Sequence, residues 1–236
     1  MSYRISIDAD FRKNTYPGLF IALEGIDGSG KSSQIEPLRK YFEDLGRTVV
    51  VTKTPRKTEG ILATINHDLM QGTGVIPKPA YQYLFTADYI IQMEELVIPA
   101  LSRGDVVISD RFHSWSSLAY GLWEATDSYD LSAAQSMLVA QGLFSPGYQL
   151  VVPDVTLFFT VSVATAASRI PQKVEAAEFY EKKDTLEKVK KGYEWLLKEF
   201  PECFSVIDAE RSLDEVTKEM IKRLSIQRDS KNKANR

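Results

Sequence analysis

The residues with the clearest chemical purpose lie in the stretch FIALEGIDGSGKSS. Gly25, four residues, then Gly30-Lys31-Ser32 reproduce the spacing GxxxxGK[ST], directly after an apolar strand-like run and directly before a helical one. Glycines at such a turn let consecutive backbone N–H groups point inward around a phosphate, and the start of the following helix adds a favourable dipole. The loop set Gly25, Gly28, Ser29, Gly30, Lys31, Ser32 and Ser33 therefore predicts a nucleoside triphosphate site. Lys31 is expected to face solvent and reach the β- and γ-phosphates, and the Ser32 hydroxyl to complete a Mg²⁺ shell. Asp27 sits inside this loop. A carboxylate facing phosphates is electrostatically costly, so it is expected to point towards a second substrate, or else to tie its own turn.

A second group follows in VVISDRFHSWSSLAY. Asp110 at the end of a strand beside the phosphate loop can meet Mg²⁺ through water. Arg111 offers a planar fork suited to another phosphate. The plain alternative is a structural Asp–Arg pair. The stretch TKTPRKTEG adds Lys53, Arg56 and Lys57 after another strand; such a run is either a solvated loop or part of a site, and ligands of open parallel sheets bind beyond strand carboxyl ends. A donor triphosphate site with a separate acceptor-phosphate site implies phosphoryl transfer between nucleotides.

These residues need a frame, and the chain alternates strand-like and helix-like segments, as a parallel sheet covered on both faces requires. Buried strands are expected at 19–23, 49–52, 106–109, 155–160 and 204–207. Helical spacing runs over 31–45 up to Gly46, over 58–70, and over 78–103 up to Gly104, with Pro99 kinking the last turn. It recurs over 132–141, 184–198 and 213–224, the last with Ser212 as cap. The expected fold class is α/β: a three-layer P-loop fold with a five-stranded parallel sheet flanked by helices. The expected division is an N-terminal extension over 1–17, a P-loop domain over 18–225, and a solvated tail over 226–236.

Composition narrows the partners. The 236 residues are 44% hydrophobic and 26% charged, so the chain is globular rather than disordered. With 29 Lys plus Arg against 32 Asp plus Glu, the net charge of -3 argues against a broad grip on nucleic acid or an anionic membrane. The single cysteine, Cys203, and the two separated histidines, His67 and His113, argue against a disulfide or a Cys/His metal cluster. No apolar run reaches a membrane span, and the polar start does not read as a signal peptide, so a soluble cytoplasmic protein is expected.

GLFIALEGIDGSGKSSQ, YLFTADYIIQ, VVISDRF…SSLAY, PDVTLFFTV and KVKKGYEWLLKEFPECFSVIDAERSLDEV together resemble the thymidylate kinase family of nucleoside monophosphate kinases over about residues 18–225. The resemblance implies an ATP-dependent kinase acting on dTMP or a related monophosphate with Mg²⁺, usually as a homodimer. It places Asp27 near the sugar 3′-hydroxyl and Arg111 on the monophosphate. Phe85 would stack on the base, its alternative being a core aromatic, and Ser116 and Tyr120 would line the base and sugar pocket. Lys53 stands where the family has an arginine after the second strand, and Arg56 follows it. Arg169 and the Ile207-Asp208-Ala209 turn would lie near adenine.

The chain also departs from the family pattern. Tyr89 stands four residues after Phe85 where an arginine is common; on one helix, both residues are expected to face the same pocket. DRFHSWSSLAYG carries one extra residue before SSLAY. The lid, about 170–181, has Lys173 against Glu175, Glu178 and Glu181. The alternative reading is a thymidylate-kinase-like nucleotide-binding protein with a different substrate, another monophosphate or a nucleoside, or without turnover.

Overall fold

The computed structural model describes residues 13–56, 78–121, 134, 151–170 and 183–234. Five strands form one all-parallel sheet: β1 (Leu19–Glu24), β2 (Val49–Lys53), β3 (Val106–Asp110), β4 (Val155–Thr160) and β5 (Ser205–Asp208), in the order β2-β3-β1-β4-β5. Residues of β1 after Leu19 and all of β3 are buried without alternation. Both faces of these strands are therefore covered, which is why they read as continuous apolar runs. Helix α1 (Lys31–Asp44) packs over β2 and β3 and beside α7 (Leu213–Ala234), which covers β4 and β5. The expected α/β class and sheet are borne out, with strand ends shifted by one residue at most. The expected helices over 58–70 and 132–141 lie outside the described residues, apart from Ala134.

The helix expected over 78–103 has three parts: α2 (Lys78–Gln92), a π-turn (Met93–Val97) and α3 (Ile98–Arg103). Pro99 falls in the first turn of α3, directly after the wide turn. Gly104 ends α3 at φ 88°, as its position predicts. A short helix, α4 (His113–Ser116), runs into a second π-turn (Ser117–Gly121). Helix α5 is Val163–Arg169 and α6 is Lys183–Glu199. Ser212 caps α7, its Oγ accepting from Glu215 N–H while Glu215 Oε2 accepts from Ser212 N–H. Helix α7 then continues through 226–234, where a loose tail is expected; QRDSKNKA contains neither Gly nor Pro to stop it.

The carboxyl end of β2 is fixed from α2. Gln92 Nε2 donates to Thr52 Oγ1 (2.6 Å) and to Lys53 O (2.9 Å), and Gln92 Oε1 accepts from Thr54 Oγ1 (2.9 Å). One turn earlier, Asp88 accepts from Arg56 Nε at 3.0 Å and from Arg56 N–H at 3.1 Å. All three side chains of the Gln92 cluster are buried, so removing the amide leaves two hydroxyls and a carbonyl without a partner. We expect Gln92→Leu to destabilise the protein by about 1–3 kcal/mol, read as a lower urea midpoint at unchanged m-value.

Candidate active site

The loop between β1 and α1 turns back on itself through positive φ at Gly25 (142°), Gly28 (78°) and Gly30 (94°). Gly28 has a second constraint: a Cβ there would lie 2.2 Å from Ala166 O on α5. Lys31 lies across the loop rather than in solvent, contrary to expectation, at 5% exposure. Its Nζ donates to Gly25 O (2.9 Å), Ile26 O (2.8 Å) and Ser29 Oγ (3.3 Å). The reason is electrostatic: an ammonium at the loop's centre takes the inward-facing carbonyls as ligands. Burial lowers its pKa from 10.5 to about 8, and Arg111 nearby adds to the shift, against the pull of Asp27, Asp110 and Glu24.

Arg111 is the centre of the second half. Its backbone is left-handed (φ 81°), unusual for a side chain of this size. Three bonds hold it there: Arg111 N–H donates to Leu23 O (3.0 Å), Arg111 O accepts from Ser109 Oγ (2.6 Å), and the next N–H, of Phe112, donates to Glu24 Oε1 (2.6 Å). The guanidinium turns into the protein. Nη1 donates to Gly25 O (3.1 Å) and Tyr193 Oη (3.0 Å); Nη2 donates to Tyr120 Oη (2.7 Å) and to Asp27 Oδ1. Its carbon also stands 4.7 Å from the Tyr120 ring centroid. The Gly25 carbonyl thus accepts from both Lys31 and Arg111.

Glu24, fully buried at the end of β1, supports this centre. It accepts from Tyr193 Oη (2.6 Å) and Ser116 Oγ (3.1 Å) besides the Phe112 N–H. Burial pushes its carboxyl above the usual range, although Arg111, these donors and Lys31 pull the other way. Glu24 and Tyr193 carry no role in the sequence reading. The available signals were a charged residue closing the apolar run LFIALE, and a tyrosine on the apolar stripe Leu186, Val189, Tyr193, Leu196 of α6.

Asp110 Oδ2 accepts from Ser32 Oγ (3.1 Å) and pairs with Lys53 Nζ (3.2 Å). Burial raises its pKa, but the charges of Lys31, Arg111 and Lys53 outweigh burial and leave it below the ordinary value. Its other oxygen, Oδ1, is buried without a hydrogen-bond partner. An ionised carboxylate with one free oxygen beside a serine hydroxyl fits the oxygen donor set of Mg²⁺.

The other expected residues fall into two sets. Arg169 Nη1 donates to Ala209 O (2.9 Å) and lies beside Gly30, so these three come together at the loop's far end. Ser29 is buried under the loop, and Ser33 is exposed on α1. Phe85 is half-buried on α2. Ser116 and Tyr120 reach the centre through Glu24 and Arg111. Arg56 instead turns to Asp88. Tyr89 corrects the expectation that it shares a pocket with Phe85: it is 1% exposed, edge-on to Phe112 and stacked on His113. The buried side of α2 takes it. Lys57 and the lid beyond Ile170 lie outside the described residues.

The buried ammonium of Lys31 has a consequence for stability. Its folded pKa lies below its unfolded value, so the unfolded chain binds more protons between about pH 8 and 10.5 and wild-type stability rises with pH across that window. Lys31→Met removes the buried charge and is expected to stabilise the protein by about 1–3 kcal/mol at pH 7. The gain should fade as pH rises from about 8 towards 10.5, checked by urea unfolding of both proteins across that range.

Comparison with known proteins supplies the family. A family model described as thymidylate kinase matches residues 23–220. The chain is 32% identical over 209 residues to a thymidylate kinase of Nitrosospira multiformis, covering 88% of this chain and 97% of the relative. It is 36% identical over 203 residues to that of Clavibacter michiganensis (84% and 90% covered), and 32% identical over 209 residues to a probable thymidylate kinase of Pyrococcus horikoshii (86% and 94%). With a phosphate loop, a strand-end carboxylate and a buried arginine assembled at the carboxyl ends of β1 and β3, the chain belongs to the thymidylate kinase family.

Proposed function

We propose that this protein transfers the γ-phosphoryl group of ATP to dTMP, yielding ADP and dTDP. The observation that carries the reading is the Gly25 carbonyl shared by Lys31 and Arg111, since it joins a donor-phosphate cation to an acceptor-phosphate cation within one family-matched frame. ATP lies on the loop Gly25–Ser33, its adenine towards Arg169 and Ala209. An oxygen of the acceptor phosphate attacks the γ-phosphorus in line, a new P–O bond forms, and the bond to the β–γ bridging oxygen breaks. The acceptor phosphate is largely ionised at neutral pH, so no general base is needed. Catalysis is positioning and charge neutralisation. Lys31, still protonated at pH 7, gives up its loop carbonyls for the β- and γ-phosphates. Ser32 and Asp110 would hold Mg²⁺, which supplies further charge neutralisation.

On the acceptor side, Arg111 grips the monophosphate. Its two terminal nitrogens already serve four acceptors, so the phosphate takes the place of Asp27, the most exposed of them, and Asp27 is released towards the sugar 3′-hydroxyl. Lys53 approaches the phosphates from β2, with Arg56 behind it. Phe85 stacks on the base, and Ser116 and Tyr120 line the pocket. We further propose, from family membership alone, a homodimer working in the cytoplasm. No described helix is long and apolar enough to cross a membrane.

Purified protein with Mg²⁺ and ATP should form ADP and dTDP only when dTMP is added. Lys31→Ala should lower kcat by about 10²-fold or more, as expected for losing a preorganised charge in the transition state. Near-normal turnover would sink the phosphate-loop assignment. Arg111→Ala and the milder Arg111→Lys should raise the KM for dTMP by at least about tenfold, with a clearly smaller loss of ATP affinity by calorimetry, since Lys31 still holds Gly25 O and Ile26 O. Equal loss of ATP binding would place Arg111 on the donor side instead.

A further inference from the structure

His113 has no part in the chemistry above, yet it is built into the molecule with more polar contacts than packing requires. It opens α4 two residues after Arg111 and is buried. Its Nε2 lies 2.8 Å from Thr86 Oγ1 on α2, and Ser117 Oγ, one turn on, stands 3.3 Å from Nδ1 and 3.4 Å from Nε2. The Tyr89 ring stacks on it at 5.2 Å between centroids and 27° between planes. Burial alone lowers its pKa to about 3, so the ring is neutral and presents one N–H donor and one acceptor nitrogen. The Thr86 hydroxyl is the close partner of Nε2, a bond that an aliphatic side chain in the same space could not make.

The partners of His113 lie next to the proposed base pocket on two separate elements. Thr86 directly follows Phe85, and Tyr89 lies three residues further on, so the imidazole grips α2 at two positions of one face in the turn that carries Phe85. Ser117 begins the π-turn whose fourth residue is Tyr120. The elements that carry Phe85 and Tyr120 therefore meet through one side chain. Tyr89 stands where the resemblance to the family implies an arginine.

We propose that His113 is a positioning residue for acceptor selection: bonded to Thr86 and in contact with Ser117, it sets the separation of Phe85 and Tyr120 and hence how tightly the nucleobase of the monophosphate is held. This rests on the acceptor-site reading given above. Steady-state kinetics with dTMP and dUMP test it. His113→Ala should raise the KM for dTMP by about 5- to 30-fold, the worth of lost buried hydrogen bonds. Its kcat should stay within about threefold, KM for ATP should hold, and the preference for dTMP over dUMP should narrow. His113→Gln, which offers both a donor and an acceptor, should restore most of the dTMP affinity. Thr86→Val, which keeps shape and deletes the hydroxyl, should raise the dTMP KM by about 3- to 10-fold and be non-additive with His113→Ala. A merely structural histidine would instead lower kcat and ATP affinity together, with no rescue by glutamine; that result overturns the proposal, as does an unchanged dTMP KM. Where His113→Ala fails to fold, Thr86→Val and His113→Gln decide by the same criteria. Phe85→Ala separates the two levels. A raised dTMP KM there beside silent His113 variants overturns the histidine's role alone; a silent Phe85→Ala overturns the acceptor-site reading and the proposal with it.

Discussion

A buried guanidinium with a fixed backbone is the constraint on which the site depends. Arg111 joins β3, through its own chain, to β1 through Leu23 O, to the phosphate loop through Gly25 O and Asp27, to the π-turn through Tyr120 and to α6 through Tyr193. A charge at 8% exposure survives only with its donors satisfied. Each of these partners is therefore held at a set distance from the others. The left-handed backbone that aims the side chain inward is itself held by Leu23 O, Ser109 Oγ and Glu24. Strain of this kind persists where surrounding bonds over-determine it.

The two carboxylates around this centre are kept apart by environment. Glu24 lies at the end of the central strand with no exposure, and burial prevails over its cationic neighbours to raise its pKa. Asp110 ends the adjacent strand, where three cations converge and keep it ionised. The first can only hold protein groups in place. The second keeps a negative charge and an unpaired oxygen at the mouth of the phosphate loop, as a site for a divalent cation needs.

The acceptor side depends on one face of α2. Thr86, Asp88, Tyr89 and Gln92 all turn inward, to His113, Arg56, Phe112 and the end of β2 respectively. Phe85 sits at the edge of that face, so its position follows from contacts made by its neighbours. Arg56 follows Lys53 in TKTPRKTEG; its guanidinium pairs with Asp88, one turn from Gln92, and both side chains of α2 grip the same loop.

The sequence by itself determined the parallel sheet, the phosphate loop and the Asp110-Arg111 pair. Continuous apolar runs admit only strands covered on both faces, and glycine spacing before a helix has few other uses. These are local signals, carried by neighbours in the chain. The tertiary structure alone decided where the charges go. Lys31 folds onto its loop, Arg111 points inward, Glu24 and Tyr193 meet across 169 residues, and Tyr89 packs on His113 instead of beside Phe85. In each case the outcome depends on which hydrogen-bond partner distant elements bring within reach of a buried polar atom, and sequence spacing carries no record of that.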